Sequence, residues 1–345
     1  MHRSNTSQFL FRALALVAPV LMGPQAASAA NITIDTVIVG NPGNAPDPLT
    51  GNLYGGVSYD YRIGTTEVTN AQYAAFLNAK AASDPLALYS TSMGSDTRGG
   101  ITRSGVSGSF IYSTKTNMAD KPVNFVSWYD SIRFANWLHN GQGAGDTETG
   151  AYTILGGTAT PSNGLSITRN AGAQWWLPSE DEWYKSAYHQ PAAQGGDIDD
   201  YWLYPTGSNG APTIATANAL GDISNPGTNV ANYANGAIWN GLTGNVTTVG
   251  SAGPLSDSFY GTADQGGNVF EWNEALIFGS FRGLRGGSFG SVGAFSVQSS
   301  SRGLDNPASE YGNVGFRVAT VPEPSTLLLG ALGMIGLLCW NKRRK

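Results

Sequence analysis

Cysteine is almost missing from this chain of 345 residues: the single one, Cys339, lies in an apolar run near the C-terminal end. The rest of the chain therefore has no disulfide, no cysteine zinc site and no thiol nucleophile. Histidine is also scarce, with only His139 and His189 beyond the N-terminal region. The fold must consequently be held by its core, without the covalent links common in exported proteins.

Charge is the second shortage. Charged residues make up 12% of the chain, about half the roughly 25% typical of soluble proteins. The net charge is −5, so no basic surface is available to neutralise phosphates, and nucleic-acid binding is excluded as a function. Hydrophobic residues at 41% suffice for a core, and 46 glycines indicate a chain that turns often.

The N-terminal residues 1–29 are typical of a secretory signal peptide. Arg3 and Arg12 supply positive charge, residues 13–22 are apolar, and Ala27-Ser28-Ala29 provides a cleavage site. Gly23-Pro24 would break a helix just before the small residues. We predict a mature N-terminus at Ala30; the alternative is an uncleaved membrane anchor.

The C-terminal residues 321–345 have three ordered parts: the sequence VPEP, an apolar run over 326–340, and the basic end NKRRK. Fifteen helical residues span about 22 Å, short for a hydrocarbon core of about 30 Å. The basic end should stay cytoplasmic, so a short transmembrane anchor is one interpretation. The segment also resembles the PEP-CTERM sorting signal. That resemblance implies transient inner-membrane association, removal by an exosortase, and delivery to the surface, periplasm or extracellular matrix of a Gram-negative bacterium that produces exopolysaccharide.

The body, residues 30–320, shows no internal repeat and is predicted to be one domain. Helices should begin after Thr69, Ser127 and Ser179, each of which is a good N-cap, with capping boxes at the first and third. Strands are predicted over 32–39, 61–63 and 314–318. The stretches 89–121 and 191–244 show little periodicity. Such long irregular segments need additional stabilisation, by calcium or by buried aromatic residues.

Six blocks of the body resemble the formylglycine-generating-enzyme (sulfatase-modifying-factor) family. In chain order they are TEVTNAQYAAF at 66–76, PVNFVSW at 122–128 with ANW at 135–137, WLPSEDEW at 176–183, GNVFEW at 267–272, RGGSF at 285–289 and GFRV at 315–318. The resemblance implies an α+β, C-type-lectin-like fold with little regular secondary structure.

The family oxidises a substrate cysteine to formylglycine with copper held by a cysteine pair after the RGGS block. Here the corresponding segment, 288–302, contains no cysteine. Cu(I) selects soft sulfur ligands, which serine cannot replace. A related branch uses iron held by three histidines. His139 and His189 are too few for such a site, and both are predicted to be polar surface residues. Copper and iron are therefore not expected, and a non-catalytic protein is favoured.

Calcium is the cofactor that the resemblance implies, in a structural role. Oxygen-only ligands suit this hard cation, and glycines let carbonyl groups turn inward. The alternative is that Glu271 accepts backbone N–H groups in a tight turn. The implied ligands are the carbonyls of Gly266, Gly267 and Val269 with the Glu271 carboxylate at a first site, and Asn232 with the Tyr233 carbonyl at a second.

Other conspicuous residues have structural interpretations. We expect Glu67 to be buried and hydrogen-bonded or paired with Arg285 or Arg317, and the acidic run 180–182 to serve a helix N-terminus. Gly286-x-Ser288-x-Gly290 matches a hydrolase nucleophile pattern, but no histidine follows it. Five tryptophans are predicted to be core: Trp128, Trp137, Trp176, Trp183 and Trp272.

Two functions remain open from the sequence. The first is a surface or matrix binding module for exopolysaccharide or surface protein, with exposed aromatic residues of 201–204 and 229–239 stacking on sugars. The second is an oxidoreductase of the same family that oxidises protein cysteine through atypical metal ligands.

Overall fold

The structure, a computed structural model, describes residues 31–322. The predicted signal peptide and nearly all of the sorting tail lie outside these residues. Within 31–322, no helix is both long enough and apolar enough to span a bilayer. The α-helices of this part are α1 (Asn70–Lys80), α2 (Thr91–Ser95), α3 (Trp128–His139) and α4 (Glu180–Tyr188).

The three predicted helix starts are confirmed. Thr69, Ser127 and Ser179 each cap a helix through the side-chain oxygen, which accepts the N–H three residues on. In each case the third helical residue, Gln72, Asp130 or Glu182, accepts the N–H of the cap in return. These reciprocal bonds satisfy donors that every helix start leaves open.

Helix α3 has no solvent-exposed face, because every residue from Trp128 to Leu138 is buried. Its polar residues therefore need internal partners. Arg133 donates to Glu148 Oε1 at 2.7 Å, and Asn136 donates to the carbonyls of Thr147 and Tyr152. A helix buried all round lies in the middle of the core rather than on its edge.

Two four-stranded sheets form the frame. The first has the order β1-β2-β12-β5 and is antiparallel throughout, and the second has the order β10-β9-β8-β11. Two-stranded ribbons join β3 to β4 and β6 to β7. The strands are β1 (Thr36–Val39), β2 (Tyr61–Gly64), β3 (Ile101–Ser104), β4 (Ile111–Thr114), β5 (Trp175–Trp176), β6 (Thr213–Ile214), β7 (Val230–Ala231), β8 (Phe270–Ile277), β9 (Phe281–Arg285), β10 (Gly303–Asp305), β11 (Val314–Gly315) and β12 (Ala319–Thr320).

All three predicted strands are right in place; 61–63 lies within β2, whereas 32–39 and 314–318 are too long. The run 32–39 yields only β1, since the Ile32 N–H donates to the Gln142 side chain instead of a strand partner. The run 314–318 yields β11, after which the chain leaves the second sheet and joins the first as β12. Arg317 lies at this crossing, where its side chain turns inward. Hydrophobic pattern alone does not reveal such a change of sheet.

The core confirms the five predicted tryptophans, all of which are buried. Between α1 and α3, edge-to-face and stacked rings connect Tyr73, Phe76 and Phe134 with Phe316. Such geometry suits the opposite charges of ring faces and edges. The family blocks thus meet in one aromatic core.

Aromatic anchors hold the long loop 191–244. Tyr201, Tyr233 and Trp239 are buried and donate to the backbone carbonyls of Ala45, Pro212 and Val246 at 2.6–2.8 Å. The prediction that these aromatics are exposed and stack on sugars is therefore wrong. Their rings cover apolar surface and their polar tips satisfy buried carbonyls.

Candidate functional site

The segment after the RGGS block borders an open cavity of about 570 Å³. Six of its residues line that cavity: Ser288, Phe289, Gly290, Ser291, Val292 and Ser296. The tight path of the segment is set by Gly286 and Gly287, whose φ angles of 91° and 74° suit glycine. A β-carbon on Gly287 would come within 2.8 Å of the Ser296 carbonyl, so the segment folds closely on itself.

The opposite wall combines charge and rings. Asp96 and Arg98 come from the turn after α2, Phe125 precedes α3, and Asn313 precedes β11. Arg98 is fixed in place because its guanidinium donates to the Gly244 carbonyl at 3.1 Å and lies 5.4 Å from the centre of the Phe289 ring. The cavity is therefore preformed, with an acid, a base, hydroxyls and apolar surface.

The residues of the cavity do not fit copper. Segment 288–302 contributes hydroxyls and apolar groups where the family carries thiolates. Ser288 also lacks the surroundings of a hydrolase nucleophile, because no histidine belongs to the cavity lining. The Oγ of Ser291 instead accepts the Ser288 N–H at 2.9 Å and stabilises the turn.

A buried ion pair lies behind the cavity, where β8 meets the chain between β11 and β12. Arg317 donates to both oxygens of Glu271, at 2.6 and 2.7 Å, and Trp183 donates to the same carboxylate at 2.7 Å. The remaining guanidinium hydrogens reach the carbonyls of Gly64 and Ala263. Each charge is thus paired and hydrogen-bonded, as a buried charge requires.

Glu67 is buried as predicted, but its predicted partners are wrong. Arg285 pairs with Glu180 and Arg317 pairs with Glu271. Glu67 instead accepts the Asn268 amide at 3.1 Å through Oε1, and its Oε2 has no hydrogen-bond partner.

Two carboxyl groups in this region titrate abnormally. Burial, reinforced by the carboxylates of Asp264 and Glu271, raises the pKa of Glu67 well above its usual range. Burial also raises the pKa of Asp264 to about 6, although the Gly250 N–H and Arg317 act in the opposite direction. Arg317 is therefore the one arginine close to three acidic groups, Glu67, Asp264 and Glu271. Protonation of a carboxylate lowers the excess negative charge.

The first predicted calcium site does not fit this arrangement. Both oxygens of Glu271 face Arg317, so a divalent ion there would compete with a guanidinium for the same lone pairs. In residues 31–322, no group of three or more His, Cys, Asp or Glu side chains could hold a metal ion. Without the Glu271 carboxylate, only the carbonyls of Gly266, Gly267 and Val269 would remain as calcium ligands.

The second predicted site retains one feature that suits a cation. Asn232 is buried, and its side-chain oxygen has no hydrogen-bond partner, while its amide nitrogen donates to the Asn245 carbonyl at 2.9 Å. An orphaned buried oxygen beside the Tyr233 carbonyl is compatible with oxygen ligation of calcium. Calcium at Asn232 and Tyr233 stays a prediction.

The acidic start of α4 serves more than the helix terminus. Glu182 closes the capping box and pairs with Arg169 at 2.7 Å. Glu180 bridges Arg285 and Arg302, at 2.7 and 2.6 Å. The two ion pairs of Glu180 link α4 to β9 and to the end of segment 288–302. The acidic start of α4 therefore helps to position the cavity.

The histidines have separate partners. His139 accepts the Gln174 N–H at 2.9 Å, and His189 contacts the Tyr260 hydroxyl at 2.7 Å. The prediction of a surface position is wrong for His189, which is buried, and burial lowers its pKa to about 4. His189 is therefore a neutral packing residue near neutral pH.

Comparison with protein families gives two matches. The sulfatase-modifying factor enzyme 1-like domain matches residues 56–321, and the PEP-CTERM protein-sorting motif matches residues 320–344. This chain belongs to the sulfatase-modifying factor family. The sorting motif indicates an exported, envelope-associated protein of a Gram-negative bacterium and implies processing by an exosortase. Comparison with curated proteins finds no match.

Solved structures support the family fold. A structure described as CarF shares 21% identity over 84% of this chain and 99% of its own, with a TM-score of 0.52. Treponema denticola variable protein 1 shares 18% over 86% and 98%, with a TM-score of 0.48. PvdO from Pseudomonas aeruginosa shares 18% over 86% and 97%, with a TM-score of 0.43. The family match and the CarF structure confirm the C-type-lectin-like fold, and identities this low carry no activity.

The sequence points to one wall of the cavity, but of the opposite wall only Phe125 lies in a family block. The family block pointed to segment 288–302, whereas Asp96, Arg98 and Asn313 belong to no motif. Arg98 follows a short helix in a stretch without periodicity, and only the fold brings it opposite Phe289. No local signal in the sulfatase-modifying factor blocks identifies these residues.

Proposed function

We propose that this sulfatase-modifying factor protein is an exported, non-catalytic binding module whose ligand site is the cavity at segment 288–296. The carrying observation is the lining itself, in which hydroxyl and apolar groups stand where the family has its cysteine pair. A preformed concave surface with a few fixed polar groups is typical of a binding site.

The ligand that this lining suits is a polyhydroxylated one. Serine hydroxyls, Asn313 and the charged residues Asp96 and Arg98 offer both donors and acceptors, and Phe270 adds an apolar wall. Sugar rings present this mixture of hydroxyl groups and C–H faces. Together with export, this supports an exopolysaccharide of the producing cell as ligand, with a surface protein as the other candidate.

Pull-down of residues 30–322 by the producer's exopolysaccharide tests this proposal. We expect saturable binding that Val292→Asp weakens about tenfold, since a charge at the cavity rim must lose water on contact. Val106→Asp is the matched control, because Val106 is 70% exposed and Val292 80% exposed, but only Val292 lines the cavity. An equal response of both variants, or no binding, contradicts the proposal.

Calcium enters this proposal as a structural brace at Asn232 and Tyr233. An EDTA arm of the same pull-down examines it: a brace predicts weaker binding after chelation, restored by calcium but not by magnesium. Stoichiometric copper or iron in the freshly purified protein would instead favour the oxidoreductase alternative.

A further inference from the structure

The domain ends without a spacer before its sorting motif. Strand β12 is an inner strand, hydrogen-bonded to β2 on one side and to β5 on the other. The next residue, Val321, still donates its N–H to the Gln174 carbonyl at 3.3 Å. The matched motif begins at residue 320, so it starts inside the sheet.

The length of the tail limits how far the domain can lie from a bilayer. Four peptide steps separate Pro322 from Thr326, where the apolar run starts, and they reach at most about 14 Å. The headgroup layer takes roughly 5–7 Å of this distance. While the run is in the membrane, Pro322, two residues beyond β12, therefore lies within about 10 Å of the headgroups, comparable to the Debye length.

One face of the first sheet has the composition of an interfacial surface. Residues opposite each other in antiparallel strands project to the same side, and neighbours along a strand alternate. The row inside the core consists of Val37, Ile63, Ala319 and Trp176, and the row on the outer side of Ile38, Arg62, Thr320 and Trp175. Within this outer row, Thr320 of β12 lies between Arg62 of β2 and Trp175 of β5.

Thr320, at the centre of the outer row, is buried, and the exposed surface belongs to the residues on either side of it. Ile38 is 53% exposed, and Arg62 and Trp175 are partly exposed. Arg62 donates to the Thr36 hydroxyl and carbonyl rather than to a carboxylate, so its charge is not neutralised there. Tryptophan and arginine both favour the boundary between headgroups and water, with the ring on the apolar side and the cation toward phosphate.

We propose that this outer face, defined by Ile38, Arg62 and Trp175, lies against the membrane surface as long as the precursor carries its tail. The occupant is the anionic headgroup layer itself. Attachment at Thr320 brings the layer to the face, Arg62 binds its phosphates, and Ile38 and Trp175 contact its apolar boundary. Removal of the tail releases the face.

Cysteine accessibility in the full chain tests this proposal. In a Cys339→Ala background, Ile38→Cys is reacted with a membrane-impermeant maleimide in vesicles of phosphatidylethanolamine and phosphatidylglycerol. We expect labelling at least about fivefold slower than in the same chain carrying twenty Gly/Ser residues inserted after Pro322, because that linker gives a reach of roughly 25 Å. Both forms keep the tail and the whole domain.

The matched control is Val292→Cys, which is exposed, lies in the cavity and is outside the first sheet. The labelling rate of Val292→Cys should change less than about twofold when the Gly/Ser linker is inserted, as expected for a site away from the headgroup layer. Equal labelling of Ile38→Cys in the two chains overturns the proposal, and so does equal protection of both positions. Neither result bears on exopolysaccharide binding, which the pull-down measures separately.

Discussion

The buried cluster around Arg317 and the cavity beside Ser288 come from neighbouring family blocks, yet they are built in opposite ways. In the cluster, Glu271 accepts three hydrogen bonds and every guanidinium hydrogen bond stays inside the protein. In the cavity, the partly exposed Ser291 and Ser296 and the exposed Val292 border open space. The family pattern is kept where a buried charge depends on it, and it is altered where the residues face outward.

The largest expected effect comes from breaking the cluster. Arg317→Ala leaves Glu271 buried and unpaired beside Glu67 and Asp264, and loss of one partner of a buried pair costs about 3–5 kcal/mol. We expect this loss in the free energy of unfolding measured in urea, or no folded protein at all.

The control for that change is Arg62→Ala, which removes a partly exposed arginine without a carboxylate partner and should cost less than about 1 kcal/mol. If the two variants had similar stability, the pair of Glu271 and Arg317 would not differ energetically from a surface contact.

A smaller effect concerns pH. Since burial raises the pKa of Asp264 to about 6 in the folded protein, the folded state binds more protons than the unfolded state, whose aspartate titrates near 3.9. The free energy of unfolding should therefore fall as pH rises from about 4 to about 6. Glu67 acts in the same direction.

Asp264→Asn removes one of these groups, so its unfolding free energy should depend less on pH over that window. The opposite contribution of Glu182, whose pKa is lowered, is already complete above its usual value of 4.5. Urea midpoints at pH 4, 5, 6 and 7 provide the measurement, and parallel curves for the two proteins would refute the assignment.

The smallest effect is expected in the cavity wall. Ser291→Ala removes the acceptor of the Ser288 N–H and should cost about 1 kcal/mol, the usual net value of one hydrogen bond. Ser300→Ala, at an exposed position of the same segment, should be neutral. A loss above about 3 kcal/mol at Ser291 would show that the cavity is as tightly specified as the cluster.

Sequence reasoning succeeded where the determinants are local. The caps at Thr69, Ser127 and Ser179 follow from hydrogen bonds within one helical turn, and all three are present. The core tryptophans followed from the family blocks. These features need no knowledge of which distant segments meet.

It failed where partners are distant in sequence. The predicted partners of Glu67 are two arginines that pair elsewhere, because charge type does not say which residue of a crowded interior is nearer. The predicted surface position is wrong for His189, Tyr201, Tyr233 and Trp239, because a polar tip in the sequence does not reveal that the ring is buried. Asp96 and Arg98 of the opposite cavity wall belong to no motif for the same reason.

The position of β12 also sets a time order for folding. Arg317 bonds the Gly64 carbonyl across 253 positions of sequence, and β12 then fills the gap between β2 and β5. Until the last residues of the domain have been translocated, those two strands have no neighbour to join them, and such long-range pairing is slow. Completion of the sheet therefore cannot precede translocation of the residues that border the sorting tail.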